Sequence, residues 1–152
     1  MQAPEIEKLR ALAPKFQAMC ERLAEDAIPQ TLVHGDFHSG NIIVNDGSYL
    51  FFDWTDACIA HPFFDLPTLF EDDFPDGASV ERAHLEDTYL RTWAAYGPVE
   101  KLREAFTQGY TLGMVHQAIS YQQIIASLEP AAKRDLDHGL RFWLLRLLAV
   151  AG

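Results

Sequence analysis

The chain has 152 residues, of which 49% are apolar, so it is long enough for one domain with a buried core. Its formal net charge is −10, from 22 acidic and 12 basic residues, which argues against nucleic-acid binding because that needs a basic face. No apolar run reaches about eighteen residues, so no membrane span is expected, and the charged N-terminus lacks the core of a signal peptide.

The two cysteines, Cys20 and Cys58, lie far apart and have no metal-site spacing. This usage predicts a reduced, cytoplasmic protein. Cys20 also falls on a helical stripe of apolar residues, so we expect it in the core. The other members of the stripe are Leu9, Leu12, Phe16 and Leu23.

In chain order, the elements predict a fold of the α+β class that is mainly α. Residues 4–26 have helical periodicity, residues 31–33 (TLV) predict a short strand, and apolar arms flank Asp46-Gly47, a strong type I′ hairpin signal. Residues 54–62 show no period and are expected to be loop. Further helices are predicted over 63–71, over 80–96 with Ser79 as N-cap, over 99–127, and from Pro130 onward.

The hairpin brings distant polar residues together. A two-residue turn at Asp46-Gly47 pairs Ile43 with Leu50, so Asn41 lands opposite Phe52. Asp53 follows directly, and Asp36 precedes Asn41 by five positions, in a loop with two glycines. We therefore expect the side chains of Asp36, Asn41 and Asp53 to converge at one end of the ribbon.

These three side chains have the chemistry of a phosphoryl-transfer site. Asn41 and Asp53 offer hard oxygen ligands, which suit Mg²⁺ shared with phosphates and water. Asp36 is then left to act on a substrate proton. The spacing His34-x-Asp36-x-x-x-x-Asn41 repeats the catalytic loop of kinases, in which the Asp accepts a hydroxyl proton and the Asn binds metal.

Three segments, LVHGDFHSGNIIV, FFDWTDA and HPFFDL, resemble the aminoglycoside phosphotransferase and choline kinase group, small-molecule kinases with a protein-kinase-like fold. The resemblance is clearest over residues 32–66. It implies ATP and Mg²⁺ as cofactors, Asp36 as catalytic base, and Asn41 and Asp53 as holders of the metal that bridges the ATP phosphates. It further implies that His34 is structural and that Asp65 hydrogen-bonds the catalytic loop. His38 is expected near the phosphates.

Two departures from protein kinases favour a small hydroxyl-bearing substrate. Gly35 stands where many protein kinases carry arginine, and the stretch from Asp53 to Asp65 is short for a segment that seats a peptide. Acidic residues are candidates for binding an amine-bearing substrate, although solvated surface is the favoured interpretation. They are Asp56, Glu71, Asp72 and Asp73. The acceptor itself stays open among aminoglycosides, choline-like alcohols, amino-acid hydroxyls and sugars.

The nucleotide-binding lobe of a kinase has no counterpart in the sequence. There is no G-x-G loop, and the lysines, at positions 8, 15, 101 and 133, all fall in predicted helices. We therefore predict that residues 1–152 form a C-terminal kinase-like lobe, from a fragment, a truncated product or a split enzyme. Alone it should be inactive, and its uncovered apolar surface should bind the missing lobe or another copy.

Other interpretations compete with the kinase hypothesis. The three polar residues could simply form turns. His34 and His38 have a spacing that could bind zinc on a helix, but the glycines around them disfavour a helix. At the level of the whole chain, the alternatives are a non-catalytic module that binds a small molecule or a partner lobe, and a metal-dependent hydrolase, which would need more His and carboxylate ligands.

Overall fold

The computed structural model describes residues 1–72 and 81–152, without the side chains of residues 130–132, 134, 135 and 137. The helices are α1 (Ala3–Ala11), α2 (Ala13–Glu25), α3 (Leu66–Phe70), α4 (Arg82–Thr92), α5 (Val99–Ser127) and α6 (Pro130–Ala151). The strands are β1 (Thr31–Val33), β2 (Ile42–Asn45), β3 (Ser48–Phe51) and β4 (Cys58–Ala60). The predicted class, α+β and mainly α, is confirmed.

The chain divides into two compact units, and the division falls within α5. The first unit contains residues 1–25 and 111–152. In it α1 contacts α2 and α6, and buried apolar side chains fill the interior. They include Met19, Leu23, Met114, Trp143 and Leu147. Lys15 donates a hydrogen bond from Nζ to the main-chain oxygen of Ala151 over 2.7 Å.

The single helix predicted over 4–26 is wrong, because the chain breaks between α1 and α2 at Leu12. Pro14 explains the break, since proline has no N–H and its ring clashes with the preceding helical turn. The second helix then buries Met19 and Leu23, which lie four residues apart on one face. Cys20 is exposed, so its predicted place in the core is also wrong.

The second unit, residues 26–110, carries both sheets. β1 pairs with β4 and β2 pairs with β3, each pair antiparallel. The loop predicted for residues 54–62 is therefore wrong over Cys58–Ala60, which form β4. A strand of three residues is too short to show alternation of apolar and polar residues, so the sequence carried no period that could reveal it.

The core of the second unit is centred on Phe63, whose side chain is completely buried. Its ring lies 5.6 to 6.0 Å from the rings of three aromatic residues, Tyr89, Trp93 and Phe106. A Cβ at Gly109 would approach the Cβ of Phe63 to 2.7 Å. Glycine at this position therefore lets α5 lie directly against the segment that leads into α3.

The remaining helix predictions are confirmed with small changes at the ends. A 3-10 turn (Pro62–Asp65) and α3 fill the predicted helix at 63–71. The helix predicted over 80–96 is α4, which starts after Glu81 and is followed by a 3-10 turn at Ala94–Tyr96. The predicted cap, Ser79, lies outside the described residues. Within residues 1–72 and 81–152, none of the helices combines the length and apolar character needed to cross a membrane.

Candidate functional site

The hairpin of β2 and β3 has the predicted register, with Ile42 opposite Phe51, Ile43 opposite Leu50 and Asn45 opposite Ser48. Asp46 and Gly47 turn the chain with φ of 48° and 77°, and positive φ at both positions is the requirement of a type I′ turn. Beyond the strands, the N–H of Phe52 donates to the oxygen of Asn41 over 3.2 Å. Asn41 thus faces the residue that precedes Asp53, as the sequence predicts.

Phe52 joins the hairpin to the loop that carries Asp36. Its N–H bonds to Asn41, and its carbonyl oxygen lies 2.8 Å from Nε2 of His34. The main chain of Phe52 is therefore held on both sides by residues of the loop. Because Asp53 is the next residue, this double attachment places it beside the loop although the two are far apart in sequence.

Asp36 and Asn41 are bonded directly within the loop. Asn41 is buried, and its Nδ2 donates to the main-chain oxygen of Asp36 over 3.0 Å and lies 3.5 Å from Asp36 Oδ2. The Asn41 N–H donates to the oxygen of His38 within a 3-10 turn formed by Ser39–Asn41. The amide nitrogen of Asn41 is thus used to shape the loop, and its amide oxygen is left for another partner.

Asp65 holds the start of the loop. Its two carboxylate oxygens accept the main-chain N–H groups of His34 and Gly35, over 2.7 and 2.8 Å. His34 is itself buried, and its Nδ1 lies 3.3 Å from the N–H of Asp36. These contacts fix the main chain on the N-terminal side of Asp36, and they are of the kind expected for His34 and Asp65 from the sequence.

His38 lies beside Asp36. Its Nδ1 accepts the N–H of Gly40 over 3.1 Å, and its Nε2 lies 3.4 Å from Asp36 Oδ2. A nitrogen that accepts a hydrogen bond carries no proton, so the neutral ring has its proton on Nε2. This N–H faces the carboxylate of Asp36. The side chain stays about one-third exposed, at the surface of the loop.

Asp53 is exposed and has a left-handed backbone, with φ of 61° and ψ of 58°. The hydroxyl of Thr55 donates to its Oδ1 over 2.9 Å. Trp54, between them, donates from its indole N–H to the oxygen of Phe51 over 3.0 Å, and its ring lies 4.7 Å from that of His34. Thr55 thus fixes the carboxylate of Asp53, and Trp54 holds the main chain that follows it. Neither was predicted, since a hydroxyl and an indole in a short loop carry no specific signal.

The oxygen atoms that remain fit a hard divalent cation. Asn41 Oδ1, Asp53 Oδ2 and Asp36 Oδ1 have no hydrogen-bond donor among the described residues. A carboxylate and an amide oxygen are the ligands that Mg²⁺ takes in sites it shares with phosphate. The part of the chain that the structure describes has no group of three or more His, Cys, Asp or Glu able to hold a metal, so the zinc alternative gains no support.

Gly35 has a geometry that no other residue could adopt without strain. Its φ is +84°, and a Cβ there would lie 2.3 Å from the main-chain oxygen of Asp56. The absence of the arginine found in many protein kinases therefore has a local physical reason. The same contact places the main chain of Asp56 against the loop, while the Asp56 side chain is exposed.

The other candidate acids have partners within the protein. Glu71 Oε1 accepts the hydroxyl of Tyr110 over 2.6 Å and lies 3.7 Å from a guanidinium nitrogen of Arg82. Burial and the bond to Glu71 raise the pKa of Tyr110. Asp72 Oδ2 accepts the N–H of Ser39 over 2.7 Å, in the loop itself. Asp73 lies outside the described residues.

The model of the phosphotransferase enzyme family (APH) matches residues 1–102, which include the whole loop and the hairpin. The chain belongs to the phosphotransferase enzyme family. No curated protein and no solved structure matches the chain. Membership of this family supports a kinase-like transferase without naming its substrate. The match also covers Asp65, at the end of the 3-10 turn before α3, and Asp72, just after α3, which both bond to the loop.

Proposed function

We propose that this chain forms the catalytic-loop lobe of an ATP- and Mg²⁺-dependent kinase with a protein-kinase-like fold, which phosphorylates a hydroxyl of a small molecule. The observation that carries the proposal is the attachment of Phe52 to both ends of one loop. That attachment delivers Asp53 to a loop in which Asp36 and Asn41 are already bonded. Family membership supports the transfer of a phosphoryl group.

In this proposal Asp36 orients and deprotonates the acceptor hydroxyl. Its Oδ2 faces His38 and the amide of Asn41, whereas Oδ1 has no donor among the described residues. Oδ1 is then the oxygen that receives the hydroxyl proton. A positioned base of this kind contributes about 10²- to 10⁴-fold to a rate. The charge of Asp36 also draws a cationic acceptor towards the loop.

Asn41 and Asp53 would hold the metal through Asn41 Oδ1 and Asp53 Oδ2. When bound, Mg²⁺ neutralises charge on the β- and γ-phosphate oxygens of ATP. The chain contributes the orientation of both ligands, because Asp36 fixes the amide of Asn41 and Thr55 fixes the carboxylate of Asp53. Preorganised ligands cost little rearrangement when the nucleotide binds. Of the candidate substrate-binding acids, we retain Asp56, since Glu71 and Asp72 bond within the protein.

The exposed faces of the hairpin support a partner lobe for this chain. Ile43 and Leu50 share one face of the ribbon, Val44 and Tyr49 share the other, and all four are 49% to 66% exposed. A two-stranded ribbon is marginal in water without something packed against it. We propose that the nucleotide-binding lobe of the complete kinase covers these residues, and that a second copy of the chain does so when that lobe is absent.

The deciding experiment is calorimetric titration of the chain with MgATP, repeated on Asp53→Ala and Asp36→Asn. Binding that is lost in Asp53→Ala and kept in Asp36→Asn would support the assigned roles of ligand and base. If Asp53→Ala binds MgATP as well as the wild type, the metal assignment is wrong. Transfer of a phosphoryl group to a hydroxyl acceptor or to water would contradict the non-catalytic module.

A further inference from the structure

The loop from His34 to Asn41 is held at two separate places by acids that flank α3. Asp65, just before α3, accepts the N–H groups of His34 and Gly35. Asp72, just after it, accepts the N–H of Ser39 over 2.7 Å. Asp36 lies near the first attachment and Asn41 near the second, so each acid restrains a different functional residue.

We propose that Asp72 is a positioning residue that holds the Asn41 end of this loop, and so sets the affinity of the nucleotide and metal site. This role rests on the proposed function. It replaces the hypothesis that Asp72 contacts the substrate, because its Oδ2 is engaged by the protein's own main chain.

The geometry around Ser39 makes the link to Asn41 direct. Ser39 is the first residue of the 3-10 turn that ends at Asn41, and His38 caps this turn by accepting the Gly40 N–H through its ring. A carboxylate that fixes the first N–H of so short a turn restrains the whole turn. An amide–carboxylate bond is also roughly twice as strong as a neutral one.

The residues next to Asp72, at the end of α3, are anchored as well. Its neighbour Glu71 accepts the Tyr110 hydroxyl, and Arg82 lies over the rings of Phe70 and Tyr110, 5.0 and 4.6 Å from their centroids. These contacts join the end of α3 to α4 and α5 within the second unit. Asp72 therefore connects the loop to a fixed part of the structure.

Amide hydrogen exchange tests the attachment without any need for activity. In Asp72→Ala, exchange should rise by about tenfold or more at Ser39, Gly40 and Asn41, because the bond that restrains the turn is gone. Exchange at His34 and Gly35 should stay unchanged, since Asp65 still holds them. Asp72→Asn keeps an acceptor oxygen and should restore most of the protection. Glu100→Gln removes a charge from an exposed acid elsewhere in the second unit and serves as the control.

Titration with MgATP tests the positioning role. We expect Asp72→Ala to weaken MgATP binding by about tenfold, a loss typical of groups that orient metal ligands, and Asp72→Asn to recover most of it.

A double-mutant cycle isolates the bond itself. Ser39→Pro removes the donor, and proline suits this position because it is the first residue of the turn and His38 is extended, with φ of −137° and ψ of 167°. If the bond acts as proposed, Asp72→Ala has no further effect on MgATP binding in the Ser39→Pro background.

Two results would overturn the proposal. One is unchanged exchange at Ser39 in Asp72→Ala. The other is increased exchange with unchanged MgATP affinity, which would make the contact merely structural. A wild-type chain that binds no MgATP would place the nucleotide affinity in the missing lobe and overturn the effect of Asp72 on affinity, while the exchange at Ser39 still decides whether Asp72 holds the loop.

Discussion

The side chain of Asn41 donates a hydrogen bond to the main-chain oxygen of Asp36, over 3.0 Å. The bond commits the amide nitrogen to the loop and leaves the amide oxygen without a donor among the described residues. In the proposed site one side chain thus shapes the loop and would also offer a metal ligand, and the two tasks together require an amide rather than a carboxylate.

We therefore expect Asn41→Asp to lose both stability and MgATP binding, although it keeps a ligand oxygen. The substitution replaces a donor by an acceptor beside the Asp36 oxygen, so we expect a loss of about 1–3 kcal/mol in the free energy of unfolding and no MgATP binding. Urea unfolding and calorimetry measure the two effects. Asn45→Asp, at the exposed far end of β2, is the control. Normal MgATP binding by Asn41→Asp would contradict the dual role.

Gly35→Ala should disrupt the loop by a clash as well as by backbone strain. Its φ of +84° disfavours any side chain, and the added Cβ would meet the Asp56 oxygen at 2.3 Å. Gly47→Ala separates the two effects, because Gly47 has a φ of +77° and open space around its Cβ position. We expect a loss of stability of about 1 kcal/mol for Gly47→Ala and clearly more for Gly35→Ala, measured by urea unfolding. Equal losses would show that the contact with Asp56 relaxes freely.

Stability should fall with acid because of His61. Burial lowers the pKa of His61 to about 4 from an ordinary value of 6.5, and its Nδ1 accepts the Phe63 N–H. The unfolded chain therefore takes up the proton first as the pH falls. The free energy of unfolding should therefore have its full value above about pH 6.5. It should fall by about 2–3 kcal/mol as the pH approaches 4.

Urea unfolding across that pH range measures the effect. His61→Asn retains an acceptor for the Phe63 N–H but cannot titrate, so its stability should change less between these pH values. A wild type and a variant with the same pH dependence would show that His61 accepts its proton without loss of the fold.

The hairpin should make the isolated chain self-associate or bind apolar dyes. Its exposed residues occupy both faces of the ribbon, and Leu50→Lys places a charge on one of them. We expect this variant to reduce association in size-exclusion chromatography and to reduce dye fluorescence. Val99→Lys changes an exposed apolar residue elsewhere in the second unit and should have little effect. A monomeric wild type that binds no dye would contradict the expectation.

Local signals in the sequence predicted the centre of the site well. The Asp46-Gly47 turn determines the register by itself, so the position of Asn41 opposite Phe52 followed from spacing alone. The long helix α5 was equally clear from its period. These features depend on residues that are close in sequence, where backbone preferences dominate.

Features that depend on distant partners could not be predicted in the same way. Cys58–Ala60 form a strand only because β1 lies beside them. The carboxylate of Asp72 accepts the N–H of Ser39, which lies 33 positions earlier in the sequence. The break at Leu12 could have been predicted, because Pro14 is a local signal for it. The helical period over residues 4–26 was given more weight than this proline. His61 caps the 3-10 turn that begins at Pro62, and its burial depends on the aromatic core around Phe63.

The hydrogen bonds that shape the loop all join residues between His34 and Asp72. This segment precedes α4, α5 and α6, so it is synthesised before them, at about 5–20 residues per second. A hairpin closes in about 1–10 μs, far faster than a single residue is added. Translation thus completes α5 and α6 after both the main-chain donors of the loop and their acceptors have been made.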